Sequence, residues 1–300
     1  IWKNNIYKKV YKNIYKTLSF TIYKNKIFVA DNIGLIYCID FKNGNMLWIK
    51  NHGIPLKSKI KVYKDKIFVI NQDNRILSLD VTDGSKVWDI RTVSSFIKSQ
   101  NFLSLAISEK GDLIALTSTG DLSKVNTANG RIYWTFNATG SSFAHDTDFF
   151  SSSEIVIAGN EIIFSTSAAT YSYNLTNGYL NWKIDLSSTN TPIVDTNNVF
   201  LVSNSGFFVN IERNSGKILW STNLLKSLKR KKQNTKISGA ILGSDKIYSV
   251  TLNGNLIVAS ANTGKFEYSK NIANSISSPP IISNGSLYFV TSKSKLLGFN

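Results

Sequence analysis

The stretch Leu35–Trp48, LIYCIDFKNGNMLW, decides the fold. Apolar side chains run up to Asp40, the pattern breaks at Asn43-Gly44, and a second run ends on Trp48. An Asn-Gly pair between two such runs predicts a hairpin closed by a two-residue type I′ turn, which needs φ > 0 at both central positions. The arrangement recurs along the chain. Asp83-Gly84 is followed by Trp88, Asn129-Gly130 by Trp134, Asn177-Gly178 by Trp182, Ser215-Gly216 by Trp220, and Thr263-Gly264 by Tyr268. The aromatic always stands four residues after the glycine, and successive glycines lie 40, 46, 48, 38 and 48 residues apart.

Around each copy the sequence predicts four short strands. They fall near 18–23, 26–30, 35–40 and 46–50; then 59–63, 66–70, 76–80 and 86–90; then 103–108, 113–117, 122–125 and 131–136. The series continues with 155–158, 161–165, 171–174 and 179–184; 192–194, 199–202, 207–211 and 217–221; and 237–242, 246–251, 256–259 and 265–269. A last copy offers 280–283, 287–291 and 295–299 and no fourth strand. Four short strands per repeat without helical periodicity predict an all-β chain, a β-propeller of four-stranded blades. About seven blades span residues 1–300 as one domain. The Trp of each fourth strand is expected to pack on the neighbouring blade, a structural role rather than a ligand cage. Trp2 is in register with Trp48, so the chain reads as opening on the last strand of a repeat, with an N-terminal piece expected before it. The two ends could complete one another to give seven blades, or the missing piece could complete both to give eight.

Composition narrows the chemistry. The formal net charge of +16 is high, and attraction to a polyanion or an anionic membrane surface is one reading. The other is compositional, because Lys, Asn and Ile share A/T-rich codons. The densest basic run, Lys226–Lys236, has no interleaved aromatics, so it does not read as a nucleic-acid site. It reads as a solvated inter-blade loop or as a contact for anionic headgroups. Cys38, the single cysteine, alternates within a strand and is expected to be buried. No apolar run reaches the roughly 18 residues that a membrane-spanning helix needs. His52 and His145 have no second His or Cys at ligand spacing and read as solvated loop residues. No phosphate-cradling glycine loop or nucleophile elbow is present. No catalytic residue, cofactor or metal site is therefore assigned.

The pattern Asp40–Gly44–Trp48 and Asp80–Gly84–Trp88 resembles the repeat of pyrroloquinoline-quinone-type propellers. Within that superfamily the chain is most similar to the BamB family of outer-membrane assembly lipoproteins. Residues 253–300 carry the best likeness, in repeat phase, in the weakened aromatic Tyr268 and in ending after a third strand. Residues 192–225 also look like the corresponding family blade. The resemblance implies an eight-bladed ring, of which this chain is a fragment, and a periplasmic scaffold peripheral to the outer membrane. A lipid anchor would then lie in the missing N-terminal part, and Cys38 is not the lipidated residue.

The resemblance also implies partners. Family members dock on the periplasmic domain of BamA through two neighbouring loops and support folding of nascent outer-membrane β-barrel proteins. One loop carries an Asp-x-Asp pair, matched by Asp146 and Asp148, which could equally be turn formers. The other carries a Leu-x-Leu-Arg-type segment, where this chain has Phe96, Ile97 and Lys98 and departs from the motif. Two further readings stand beside this one. A quinone-dependent dehydrogenase or a degenerate relative shares the Gly-to-Trp spacing, but the lone Cys38 lacks the paired cysteines of many such enzymes. A ligand-sensing propeller is the third.

Overall fold

Asp40 shows why the repeat turns where it does. Its carboxylate accepts the backbone N–H groups of Lys42 and Asn43 at 2.9 and 3.0 Å, and its carbonyl accepts that of Gly44 at 2.9 Å. Gly44 takes φ +75°. The loop therefore covers Phe41–Asn45 and is not the two-residue type I′ turn expected from Asn43-Gly44. One left-handed residue suffices, and the side chain at Asp40 supplies the rest of the turn, as Asx residues do. Two-residue turns with φ > 0 at both positions do occur, two hairpins earlier, at Lys24-Asn25 (47° and 29°) and Lys64-Asp65 (43° and 60°).

A computed structural model describes residues 2–7, 11, 13–92, 103–138, 150–203, 205–228 and 235–300. The chain divides into two compact units, Ile1–Ser151 and Ser152–Asn300. The first holds three antiparallel sheets, each in sequential strand order. They are β1 (Leu18–Tyr23), β2 (Lys26–Asp31), β3 (Leu35–Asp40) and β4 (Met46–Asn51); β5 (Lys61–Tyr63), β6 (Lys66–Ile70), β7 (Arg75–Asp80) and β8 (Lys86–Arg91); and β9 (Ser104–Ile107), β10 (Asp112–Leu116), β11 (Asp121–Asn126) and β12 (Ile132–Asn137).

The second unit holds three more four-stranded sheets and one of three strands. They are β13 (Val156–Ala158), β14 (Glu161–Ser165), β15 (Thr170–Asn174) and β16 (Leu180–Ile184); β17 (Ile193–Val194), β18 (Asn198–Val202), β19 (Phe207–Glu212) and β20 (Ile218–Asn223); β21 (Ile237–Gly243), β22 (Lys246–Thr251), β23 (Asn255–Ser260) and β24 (Phe266–Asn271); and β25 (Ile281–Ser283), β26 (Ser286–Val290) and β27 (Leu296–Phe299). Apart from a short 3-10 turn, Leu225–Ser227, and a 3-10 residue at Tyr11, the regular structure of the described residues is all strand. The sheets are the blades of a β-propeller, as the repeat predicts.

Blade stacking explains the composition of the inner strands. In β6, Ile67 and Val69 pack with Phe28, Ile36 and Cys38 of the first blade. Phe68 and Ile70, one residue out of phase, pack with Leu105, Leu113 and Val125 of the third. Successive side chains of a strand point to opposite faces, so a strand covered on both sides must be apolar throughout. Burying each such side chain contributes about 1.5–3 kcal/mol. The second unit repeats the scheme, with Val199 and Leu201 on one face and Phe200 and Val202 on the other.

Within each unit the outer-strand Trp packs one blade onto the next, and in three cases its indole also donates a hydrogen bond, whereas the Trp134 and Trp220 indole nitrogens are buried without a partner. The Trp48 indole N–H donates to the carbonyl of Val81 at 3.2 Å and that of Trp88 to Thr127 at 3.2 Å. In the second unit Trp182 donates to Arg213 at 2.7 Å. Each acceptor is the residue just after the Asp40-equivalent position. The ring lies on the turn glycine. A Cβ added at Gly84 would meet Trp48 at 2.6 Å, and one at Gly216 would meet Trp182 at 2.9 Å. Trp2 makes the same contacts with the first blade, donating to Phe41 at 3.0 Å and covering Gly44, although residues 2–7 form no strand.

Candidate interaction surface

The five residues expected to bind a partner, Phe96, Ile97, Lys98, Asp146 and Asp148, lie outside the described residues, as does His145. The structure does describe the roots of both loops that carry them, and these belong to neighbouring blades of the first unit. One loop leaves from β8 and the other from β12.

A second recurrent turn, between the second and third strands, forms the platform for both roots. It opens on a residue with a short polar side chain, and its fourth residue is left-handed in most blades. Asp31, Asn71, Ser203 and Thr251 occupy the first place. Their side-chain oxygens accept N–H groups within the turn or at its close, as from Leu35 to Asp31 at 2.9 Å and from Asn255 to Thr251 at 2.9 Å. Gly34, Asn74, Gly206 and Gly254 take positive φ at the fourth. The carbonyl of the fourth residue then receives the chain leaving the fourth strand. His52 N–H donates to Gly34 at 2.8 Å, the Thr92 hydroxyl to Asn74 at 2.9 Å, and Ala138 N–H to Gly120 at 2.9 Å.

These platforms are tied across blades. Asn74 is 2% exposed, and its side-chain amide faces Ser118 of the next blade. The Asn74 Nδ2 donates to Ser118 Oγ at 2.8 Å, and Ser118 N–H donates to Asn74 Oδ1 at 3.1 Å. Beside Ser118, Asn137 donates its Nδ2 to the carbonyl of Thr119 at 2.8 Å and to the Asp121 carboxylate at 3.2 Å. Hydrogen bonds therefore link Thr92 through Asn74 to Ser118, and the adjoining residue Thr119 carries the path by a further bond to Asn137. The first loop re-enters at Leu103, whose N–H donates to Lys57 at 2.7 Å. Leaving a buried amide half-paired costs about 1–3 kcal/mol, so the two roots are held together. Sequence reading missed Asn74 and Ser118, although the recurrent polar opening of this turn was there to be found.

Cys38 is fully buried, and burial pushes its thiol up to about 11, consistent with an inert packing role. His52 is not the solvated loop residue expected. Its Nε2 is buried without a hydrogen-bond partner, and burial, then Lys50 and Lys86, hold its pKa below the usual range. Of the basic run, Lys226 sits in the 3-10 turn and Leu228 is buried, while 229–234 lie outside the described residues. Among the described residues, no group of three or more His, Cys, Asp or Glu could hold a metal ion. No helix of the described residues is long and apolar enough to cross a membrane.

Comparison with known proteins bears on these surfaces. The family model described as outer membrane protein assembly factor BamB matches residues 1–222 and 211–300. Curated protein sequences give no match. Among solved structures, BamB from Moraxella catarrhalis superposes with a TM-score of 0.77 at 16% identity, covering 94% of this chain and 83% of that one. A europium-containing methanol dehydrogenase gives 0.67 at 12% identity over 93% of this chain and 71% of its own. The computationally designed Ika8 protein gives 0.59 at 10% identity over 95% and 96%. At these identities the structural matches establish the fold.

Proposed function

We propose, because the chain belongs to the family of the outer membrane protein assembly factor BamB, that it is a non-catalytic scaffold in the assembly of outer-membrane β-barrel proteins. The observation that carries this reading is the family match along both segments of the chain, 1–222 and 211–300. On this reading the protein is periplasmic and peripheral to the outer membrane, held there by a lipid anchor outside the given sequence. Its partner is the periplasmic domain of BamA, bound through Phe96, Ile97 and Lys98 on one loop and Asp146 and Asp148 on the next. The tied loop roots support this pairing, since a two-loop epitope needs its halves held in register, and conserving that geometry avoids an ordering cost on binding. Nascent barrel strands would engage blade edges by strand addition. The basic surface would favour proximity to anionic headgroups.

A pulldown with the BamA periplasmic domain tests the reading. Wild type should be recovered, and Asp146→Lys with Asp148→Lys should reduce recovery at least tenfold. Equal recovery of both would remove the site, and no recovery of either would remove the function. The likeness to a methanol dehydrogenase favours one alternative, a quinone-dependent dehydrogenase. Dye-linked alcohol oxidation after reconstitution with the quinone and Ca²⁺ would replace the scaffold reading with that one.

A further inference from the structure

At the end of the first unit opposite the two loop roots, neighbouring blades meet through their first hairpins. Between the first and second blades the turn lysine of this seat is neutralised by a carboxylate. Lys24, in the β1–β2 turn, reaches Asp65 in the β5–β6 turn, with Nζ and Oδ1 2.7 Å apart. Lys24 also lies over the ring of Tyr23, 5.2 Å from its centroid.

Between the second and third blades the same seat carries no such counter-charge. Lys64 takes the place of Lys24 and lies over the ring of Tyr63, at 5.3 Å. The facing turn, between β9 and β10, presents Lys110. A recess of about 240 Å³ opens there, lined by Lys64, Lys66, Lys110, Tyr63, Tyr133 and Asp112, together with Gly111 and residues 126–128. Asp112 is the one carboxylate in the lining, and it is already engaged by Lys124, 3.0 Å away. Glu109, in the same turn as Lys110, does not line the recess.

The remaining lining favours an anion. Asn126 donates its Nδ2 to the Tyr133 oxygen at 2.6 Å, which leaves the phenol proton of Tyr133 to be donated elsewhere. Tyr63 forms a wall because Gly111, at φ +87°, has no side chain. A Cβ there would meet the Tyr63 ring at 2.4 Å. Three lysines thus line a concave space whose one carboxylate is already paired, in a chain of net charge +16 that draws anions by its long-range field.

We propose that this recess binds a phosphate-type anion, either free or as a lipid headgroup, with Lys64, Lys66 and Lys110 as its cationic ligands. The recess does the work that Asp65 does in the neighbouring seat, with an external anion in place of an internal carboxylate. The proposal is independent of the scaffold reading, since it uses neither partner loop.

Inorganic phosphate is the first probe, followed by ³¹P line broadening or calorimetry on the full chain at fixed ionic strength. Wild type should bind it saturably. Lys110→Asp supplies the missing carboxylate and should weaken binding at least tenfold, because one charge near the site reverses sign, a change of two charge units. Lys64→Gln should weaken it less, and Lys24→Gln, in the seat between the first and second blades, should leave it unchanged. Flotation with phosphatidylglycerol vesicles, against phosphatidylcholine, separates the sources. Lys110→Asp reduces flotation if the ligand is a headgroup phosphate and leaves it at wild type if the ligand is free. Absence of saturable phosphate binding to wild type would overturn the site. So would equal binding by wild type, Lys110→Asp and Lys64→Gln.

Discussion

At Gly84 two separate demands fall on one residue. The turn needs φ +71°, and the Trp48 ring needs the space that a Cβ would occupy, at 2.6 Å. Gly53 isolates the first demand, since it takes φ +73° with nothing within 4 Å of an added Cβ. Gly53→Ala should therefore cost only the left-handed backbone penalty, about 1–2 kcal/mol. Gly84→Ala should cost that amount and about 1–2 kcal/mol more, because Trp48 must shift in a close-packed interior. Urea unfolding followed by tryptophan fluorescence reads both. Equal midpoints for the two variants would mean that the ring contact contributes nothing. The Gly-to-Trp spacing was visible in the sequence, but the turn type was not. The Asn-Gly signal favours a type I′ turn locally, whereas the Asp40 carboxylate, bonded to two N–H groups, makes a longer turn with one left-handed residue.

Strands were more legible than turns. The run of β6 reads as a strand because Ile67, Phe68, Val69 and Ile70 are each buried on one face or the other, and the expected span 66–70 coincides with Lys66–Ile70. The turn between second and third strands left a fainter trace. Its first residue varies among Asp, Asn, Ser and Thr, and its left-handed place accepts Asn74 as well as glycine. Chemical function is kept while residue identity changes, so letter-by-letter comparison of repeats misses it. Asn74→Ala tests what this element does for the partner loops. It leaves the Ser118 amide without its acceptor, at a cost of about 1–3 kcal/mol. Hydrogen exchange should quicken at Ser118 and at Ala138, whose N–H is anchored on the same turn. The Gly254 turn of the second unit should keep its rate, since Ile272 bonds there at 2.8 Å without any link to Asn74. Recovery in the BamA pulldown should fall severalfold. Unchanged exchange at Ser118 would mean that the cross-blade bond does not hold the loops.

Across the whole chain, the repeat fixes how many blades to expect but not how strongly they cooperate. We propose that residues 1–300 unfold as one domain, although contacts cluster into 1–151 and 152–300. The physical ground is that no blade is self-sufficient. Ile67 and Phe68 are both fully buried, yet each is covered by a different neighbour, so losing one blade exposes a face of the next. Solenoid-like arrays can lose this coupling when nearest-neighbour terms are weak, and two transitions are the signature of that loss. The tryptophans allow the distinction to be made optically. Trp2, Trp48, Trp88 and Trp134 report on the first unit, and Trp182 and Trp220 on the second. Variants carrying Phe at all four tryptophans of the first unit, or at Trp182 and Trp220, each silence a reporter set while retaining most of the buried area. Both should melt at one temperature that agrees with far-UV circular dichroism, and the calorimetric enthalpy should equal the van't Hoff value. Separate midpoints for the two reporter sets, reproduced by the calorimeter in the unsubstituted protein, would divide the chain into two domains.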